Sequence, residues 1–400
     1  MRPSGAGARE VIRVLLVTSN PPRLTQGGSR QLYYHFVGQP AVEAAVITDA
    51  VNAESYSLPT YAVQLRRLVG RLIRTRFSKW GHDLKHFGMG FEEAGAVQFA
   101  KAFRPDLVVI GAETGLAEIG IRMARRLQIP LAGFFMDWPT FAAGGHGWCL
   151  RRLGECFARR YRACDLAITI SPEMQEALGE HPNRMVSYPC CPPLLVDRRE
   201  GYRHEGARPI TLGFSGNLGQ WYGPMLARLA QVFAGDGQHR LRISGSGASW
   251  TEAEAGWLSR RAIYCGFLDE EGLRRFLQEA DILLVVMGFQ LEAELIERTS
   301  FKSKLAEYFQ YDRPVLIWGP SGCTAVRRAM VEHFAVVVTD PAPEAVLAAC
   351  SALAEDSAEQ ERCIRAGRRF YETHMEAGRN TARIHEKLIE LVGADRARRI

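Results

Sequence analysis

The stretch Ile210-Thr211-Leu212-Gly213-Phe214-Ser215-Gly216-Asn217 carries the decisive pattern: an apolar, β-rich run that ends in a short glycine-containing turn. The pattern returns at Leu241-Arg242-Ile243-Ser244-Gly245-Ser246-Gly247. Short apolar runs separated by helical periods are the mark of a parallel sheet covered on both faces. The spacing predicts strands over 210–214, 241–244, 282–287, 315–318 and 336–338. It predicts helices over 225–233, 269–280, 303–309 and 380–392.

Toward the amino terminus the same rhythm appears. Strands are predicted over 11–18, 44–48, 107–111, 131–136 and 166–170. A Gly27-Gly28 turn leads into a helix through about 37, and further helices cover 91–103, 116–127 and 149–163. Arg13 interrupts the first apolar run and no small-residue cleavage site follows, so a buried strand explains it better than a signal peptide. Ser171-Pro172-Glu173 reads as a helix N-cap with proline at the first position. The rhythm breaks at Pro189, Pro192 and Pro193 and the polar run Asp197-Arg198-Arg199-Glu200-Gly201. The expected organisation is therefore a first domain over 1–195, a linker over 196–208, a second domain over 209–375, and a helix over 376–400 crossing back to the first. The fold class is α/β, with two Rossmann-like, doubly wound parallel-sheet domains facing across a cleft. Ligands of such sheets sit outside the carboxyl ends of the strands.

Composition narrows the partners. The chain has 400 residues, 47% hydrophobic and 24% charged, which excludes a mainly disordered chain. No run approaches the ~18 consecutive apolar residues that span a bilayer. Fifty basic against 44 acidic residues give +6, a mild excess that argues against a nucleic-acid partner. Nine cysteines without a C-x-x-C spacing indicate neither a disulfide scaffold nor a zinc ribbon, and fit a reducing cytosol. His82 and His86 stand one helical turn apart without a third ligand, so a surface pair is expected rather than a metal site. Cys190-Cys191 reads as buried packing.

The basic charge is concentrated. From 61 to 86, seven basic residues (Arg66, Arg67, Arg71, Arg74, Arg76, Lys79, Lys85) face one acid, Asp83, for 7 − 1 = +6. Tyr61, Leu65, Leu68, Val69, Leu72, Ile73, Phe77 and Trp80 recur at helical spacing, which predicts one basic amphipathic helix. Its apolar stripe either packs on its own domain or lies on an anionic membrane surface, and its arginines could also face an anionic acceptor.

Glycine after a strand lets backbone N–H groups approach a phosphate. No turn matches G-x-x-x-x-G-K-[ST], and none completes a dinucleotide fingerprint, so a P-loop ATPase and a nicotinamide dehydrogenase are unsupported. No D-x-D occurs anywhere, which argues against a metal-bridged sugar-nucleotide site.

In order, the second half carries Phe214-Ser215-Gly216-Asn217-Leu218-Gly219, Leu241 through Gly247, and Tyr264-Cys265-Gly266-Phe267-Leu268. Leu273, Ala280-Asp281-Ile282, Ser303-Lys304-Leu305-Ala306-Glu307-Tyr308 and Arg313-Pro314-Val315 follow. The first half adds Arg104-Pro105-Asp106 before a strand and Asp165 through Ser171 before a helix. The series resembles the GT-B glycosyltransferases, in particular the retaining family 4 (glycosyl transferases group 1), over nearly the whole chain. The resemblance implies a sugar moved from a UDP- or GDP-sugar to an acceptor, with retention and without a metal or other cofactor. The acceptor would be a glycan or lipid-linked, and the protein cytoplasmic or peripheral on the inner membrane face.

The same resemblance assigns roles. Glu307 would bind the ribose hydroxyls, as an ionised carboxylate can; outside the motif it would be an ordinary exposed helix residue. Lys304 would offset the diphosphate charge, with Lys302 a near-equal competitor. Ser215, Gly216 and Asn217 would offer backbone contacts to the phosphates, and Gly266 to Leu268, including Phe267, would sit against the base. Gly27, Gly28, Gly245 and Ser303 complete the donor-binding set. Asp137, in Met136-Asp137-Trp138-Pro139, would face the sugar, or else cap the turn before Pro139. Glu113 would face the same cleft. Two departures stand out. Thr299 occupies the position of the family's second glutamate, with Glu292, Glu294 and Glu297 nearby but out of register. Gln220-Trp221-Tyr222 replaces the usual basic residue after the Ser215-Gly216 turn. Two rival readings stand beside this one: a nucleotide-sugar 2-epimerase, which shares the fold but needs several acid/base residues in the cleft, and a catalytically silent binding partner, which the missing glutamate at Thr299 supports.

Overall fold

The computed structural model describes residues 11–24, 27–50, 57–139, 146–193, 209–219 and 221–399. The expected linker at 196–208 and Gln220 lie outside the described residues. The chain divides into two compact units, Met1–Tyr188 with Ala377–Ile400, and Pro189–Glu376.

Unit 1 runs β1 (Ile12–Val17), α1 (Gly27–Phe36), β2 (Val42–Thr48), β3 (Thr60–Ala62), α2 (Arg67–Ile73), α3 (Ser78–His86), α4 (Ala94–Phe103), β4 (Leu107–Gly111), α5 (Ala117–Leu127), β5 (Leu131–Phe135), α6 (Gly147–Ala163), β6 (Leu166–Thr169), α7 (Pro172–Leu178) and β7 (Arg184–Val186). Its seven strands pair in parallel in the order β3-β2-β1-β4-β5-β6-β7. The central strands are apolar on both faces because helices cover both, and β4 and β5 are buried at every residue.

Unit 2 runs β8 (Ile210–Asn217), α8 (Tyr222–Ala234), β9 (His239–Ser246), α9 (Glu252–Arg260), α10 (Glu270–Glu279), β10 (Ile282–Val286), α11 (Glu294–Thr299), α12 (Lys304–Tyr308), β11 (Val315–Trp318), α13 (Thr324–Glu332), β12 (Val336–Val338), α14 (Pro343–Glu355) and α15 (Ser357–Phe370). Its five parallel strands lie in the order β12-β11-β10-β8-β9. The chain then returns as α16 (Ala377–Arg399) to unit 1, where Ile384, Leu388 and Val392 are buried against Phe36 and the face of β1 and β2. His35 Nδ1 meets Thr381 Oγ1 at 2.9 Å, and His385 Nε2 meets the His35 carbonyl at 2.6 Å.

Three local expectations are corrected. The single basic helix over 61–86 is in fact a strand end, β3, followed by two short helices. The Thr75 hydroxyl breaks it by bonding the Leu72 carbonyl (2.9 Å) and the Phe77 N–H (3.2 Å). Gly81 then lets α3 fold back, since a Cβ there would meet Ile73 Cγ1 at 2.7 Å. The glycine turn after 210–214 is instead part of β8, which continues to Asn217 beside a β9 that continues to Ser246. Gly27 and Gly28 are the first residues of α1 rather than a turn before it.

Candidate active site

In each sheet the strand order reverses once, between β1 and β4 in unit 1 and between β8 and β10 in unit 2. At such switch points the loops part and leave a crevice outside the carboxyl ends. Of the residues singled out from the sequence, Gly216 and Glu113 follow or end the strands that flank these points, and Gly245 and Asp137 stand at the ends of the next strands out.

In unit 2, Gly216 and Gly245 are register partners at the ends of β8 and β9, with φ of 151° and 154°. A Cβ on Gly245 would meet the Gly216 carbonyl oxygen at 1.8 Å, so only glycine fits. A Cβ on Gly216 would stand 2.6 Å from Lys304 Nζ. The bare backbone thus admits the ammonium of Lys304, which lies 3.9 Å from the centroid of the buried Phe214 ring. Burial, and then the charge of Lys302, push the Lys304 ammonium down to about 7, against the pull of Glu297 and Glu307.

Lys302 is held differently. Its Nζ is 2.6 Å from Glu297 Oε2 and donates to Tyr222 Oη at 2.7 Å. Tyr222 in turn donates to Glu297 Oε1 at 2.5 Å, and Gly288 N–H donates to the same oxygen at 3.0 Å. Burial opposes the charge on Lys302, yet the Glu297 carboxylate and Tyr222 outweigh it and hold this lysine above its ordinary range. Glu297 is fully buried and spent on this network. Lys302 is therefore paired within the protein, while among the described residues Lys304 has neither an ion pair nor a hydrogen bond.

Ser215 presents no open N–H here, because its N–H donates to Tyr308 Oη at 3.0 Å. Asn217 Oδ1 accepts from Gly219 N–H at 2.7 Å. Glu307 is half-buried on α12, one turn beyond Lys304, and Ser303 is exposed beside it. The loop 264–268 is pinned to the end of β9, where Gly245 N–H and Ser244 Oγ both donate to the Gly266 carbonyl at 3.0 Å. Beyond it Phe267 is 77% exposed and Leu268 half-buried. Thr299 is buried and donates to the Leu295 carbonyl at 2.7 Å.

In unit 1, Ser19 and Thr114 join hydroxyls across the switch point at 2.8 Å. Glu113 Oε1 accepts the Met136 N–H at 2.8 Å, which ties the end of β4 to the end of β5. Burial, with the nearby charge of Asp137, pushes Glu113 up to about 7, against the backbone N–H groups that donate to it. Asp137 itself is exposed. Gly28 lies in ordinary contact range of Met136, a Cβ there standing 3.6 Å from its sulfur, and Gly27 is exposed.

The structure gathers Gly216, Gly245, Lys304, Glu307 and the Phe267 loop in unit 2, and Glu113 with Asp137 in unit 1. Sequence reasoning missed the Tyr222–Glu297–Lys302 network and the Tyr308 hydroxyl. Their only signal was polar residues at positions that this register buries. His82 and His86 stack at 6.2 Å, and no metal-binding cluster occurs among the described residues.

No family model matches the chain, and no curated protein matches it. Solved structures do. Anabaena HepE in complex with UDP-glucose superposes with a TM-score of 0.65 at 14% identity, covering 95% of this chain and 100% of that one. Sucrose-phosphate synthase from Thermosynechococcus elongatus gives 0.66 at 12% identity, covering 96% and 100%. A glycosyltransferase from Rickettsia africae gives 0.64 at 9%, covering 96% and 99%. With its two parallel α/β sheets, the chain has the GT-B fold of these proteins.

Proposed function

We propose that the chain is a glycosyltransferase that moves a sugar from a UDP- or GDP-sugar to a glycan or lipid-linked acceptor at the cytoplasmic face of a membrane. The observation that carries this reading is the unpaired Lys304 ammonium, held against the glycine-lined end of β8 at a switch point. A diphosphate supplies the charge that this cation lacks, and its arrival favours the protonated lysine. Glu307 takes the ribose hydroxyls and the Phe267 loop takes the base. Glu113 and Asp137 meet the sugar or the acceptor hydroxyl.

The chemistry we assign is retaining and uses no metal. The bond from the anomeric carbon to the diphosphate breaks while the acceptor oxygen bonds to the same face. The acceptor proton passes to the departing diphosphate oxygen. Lys304 stabilises the charge that develops there. Thr299, in place of a glutamate, favours a second reading in which the chain binds a nucleotide sugar without turnover.

A panel of nucleoside diphosphates and their sugars tests this. UDP or GDP is expected to raise the melting temperature, and Lys304→Ala to abolish the rise while leaving the ligand-free melt in place. No rise with any nucleotide would overturn the donor assignment. A rise without nucleotide release when acceptors are added would select the second reading.

A further inference from the structure

Among the described residues, the hairpin of α2 and α3 leaves five basic side chains without an acid partner, while Lys85 near its far end meets Asp49 at 3.1 Å. On several other exposed helices some arginines meet acids a turn away, as in Arg152–Glu155, Arg274–Glu271, Arg362–Glu359 and Arg365–Glu361. In the hairpin, Arg67, Arg71, Arg74 and Lys79 are exposed and have no acid partner among the described residues, and Arg76 lies only over the Phe77 ring at 4.9 Å. The segment's sole acid, Asp83, is turned inward. It is buried and accepts the His146 N–H at 3.0 Å and pairs with His146 Nδ1 at 2.5 Å.

The apolar side is equally unbalanced. Val69 is buried and Leu72 and Ile73 are half-buried, so packing accounts for these three. It does not account for Leu68, Phe77 and Trp80, which are 68%, 46% and 54% exposed. Phe77 and Trp80 sit at the bend between the helices, among Arg74, Arg76 and Lys79. Trp80 continues through His146, at 4.8 Å, to Trp148, which is itself exposed. Aromatic rings flanked by unpaired cations are the composition of a surface that enters the headgroup layer of an anionic bilayer.

We propose that the tip of this hairpin docks on an anionic phospholipid membrane, with Phe77 and Trp80 inserted among the headgroups and Arg67, Arg71, Arg74, Arg76 and Lys79 on the lipid phosphates. This deepens the acceptor side of the reading above, yet it rests on the hairpin alone and stands whatever the donor is.

Co-sedimentation with phosphatidylcholine vesicles, with and without phosphatidylglycerol, tests it in the full chain. The protein is expected to bind only the anionic vesicles, and less tightly as salt rises. The triple change Arg71→Ser, Arg74→Ser, Arg76→Ser weakens binding on the order of a hundredfold. The pair Phe77→Ser and Trp80→Ser removes the salt-resistant part. Brominated lipid quenches the fluorescence of the wild type more than that of Trp80→Phe. All these side chains are exposed, so unchanged melts show that the variants fold, and any UDP shift should persist in them. No recruitment to anionic vesicles at low salt overturns the proposal. So does binding that the aromatic pair leaves unchanged while a soluble polyanion fully competes it away, which would point to a polyanion site instead.

Discussion

The two switch points have the same topology and opposite chemistry. In unit 1 burial lifts the Glu113 carboxyl to about 7, and in unit 2 burial lowers the Lys304 ammonium to about 7. Desolvation at the crevice end of each sheet thus brings an acid in one unit and a base in the other toward neutrality. The comparison teaches that the doubly wound sheet supplies the place, while the side chain that the sequence puts there decides what the place can hold. A carboxyl that is half protonated suits hydroxyls, and a lysine that gains its proton on binding suits a diphosphate.

The comparison can be broken hardest at its backbone. Gly245→Ala drives a Cβ into the Gly216 carbonyl and forces a non-glycine residue to φ 154°, so we expect unit 2 to lose its cooperative melt. The matched change in unit 1, Gly28→Ala, meets only ordinary contacts and should leave the melt in place. Next in size is Glu297→Ala, which leaves Lys302 buried without its counter-charge. A loss of about 3–5 kcal/mol is expected in denaturant unfolding, as for a buried pair broken on one side. If Glu297→Ala melts like the wild type, the network is ornamental.

The smallest effects sharpen the symmetry. Glu113 has a folded pKa above its ordinary 4.5, so its stabilisation is complete below about 4.5 and is lost as pH rises to about 7. Lys304 has a folded pKa below its ordinary 10.5, so its contribution is present above about 10.5 and is lost as pH falls to about 7. Ligand-free melting temperature should therefore fall on the acid limb and recover on the alkaline limb. Glu113→Gln should flatten the first and Lys304→Met the second. In the same range UDP affinity should weaken about tenfold per pH unit above 7, and a flat profile would remove Lys304 from the diphosphate.

Much of the fold was legible because both sheets are buried on two faces, which writes them as apolar runs. β4, β11 and β12 stand at the residues expected. The three-residue edge strands β3 (Thr60-Tyr61-Ala62) and β7 (Arg184-Met185-Val186) were missed because, unlike the Val336-Val337-Val338 edge of β12, they carry no unbroken β-branched apolar run. Lys304 and Glu113 could be picked out by type and position. Lys302 could not be separated from Lys304, because only the fold shows which of two neighbouring lysines meets Glu297. The break at Thr75 was also hidden, since one hydroxyl decides it within an unbroken apolar period.

The return of α16 to unit 1 has a consequence for synthesis. Ile384, Leu388 and Val392 fill the core beside Phe36, and each such burial contributes roughly 1.5–3 kcal/mol. These residues leave the ribosome after all of unit 2. The first half of the chain must therefore wait, with an apolar groove uncovered, while the second half is translated and can already fold. Its nascent form is the stage at which chaperones have most to hold.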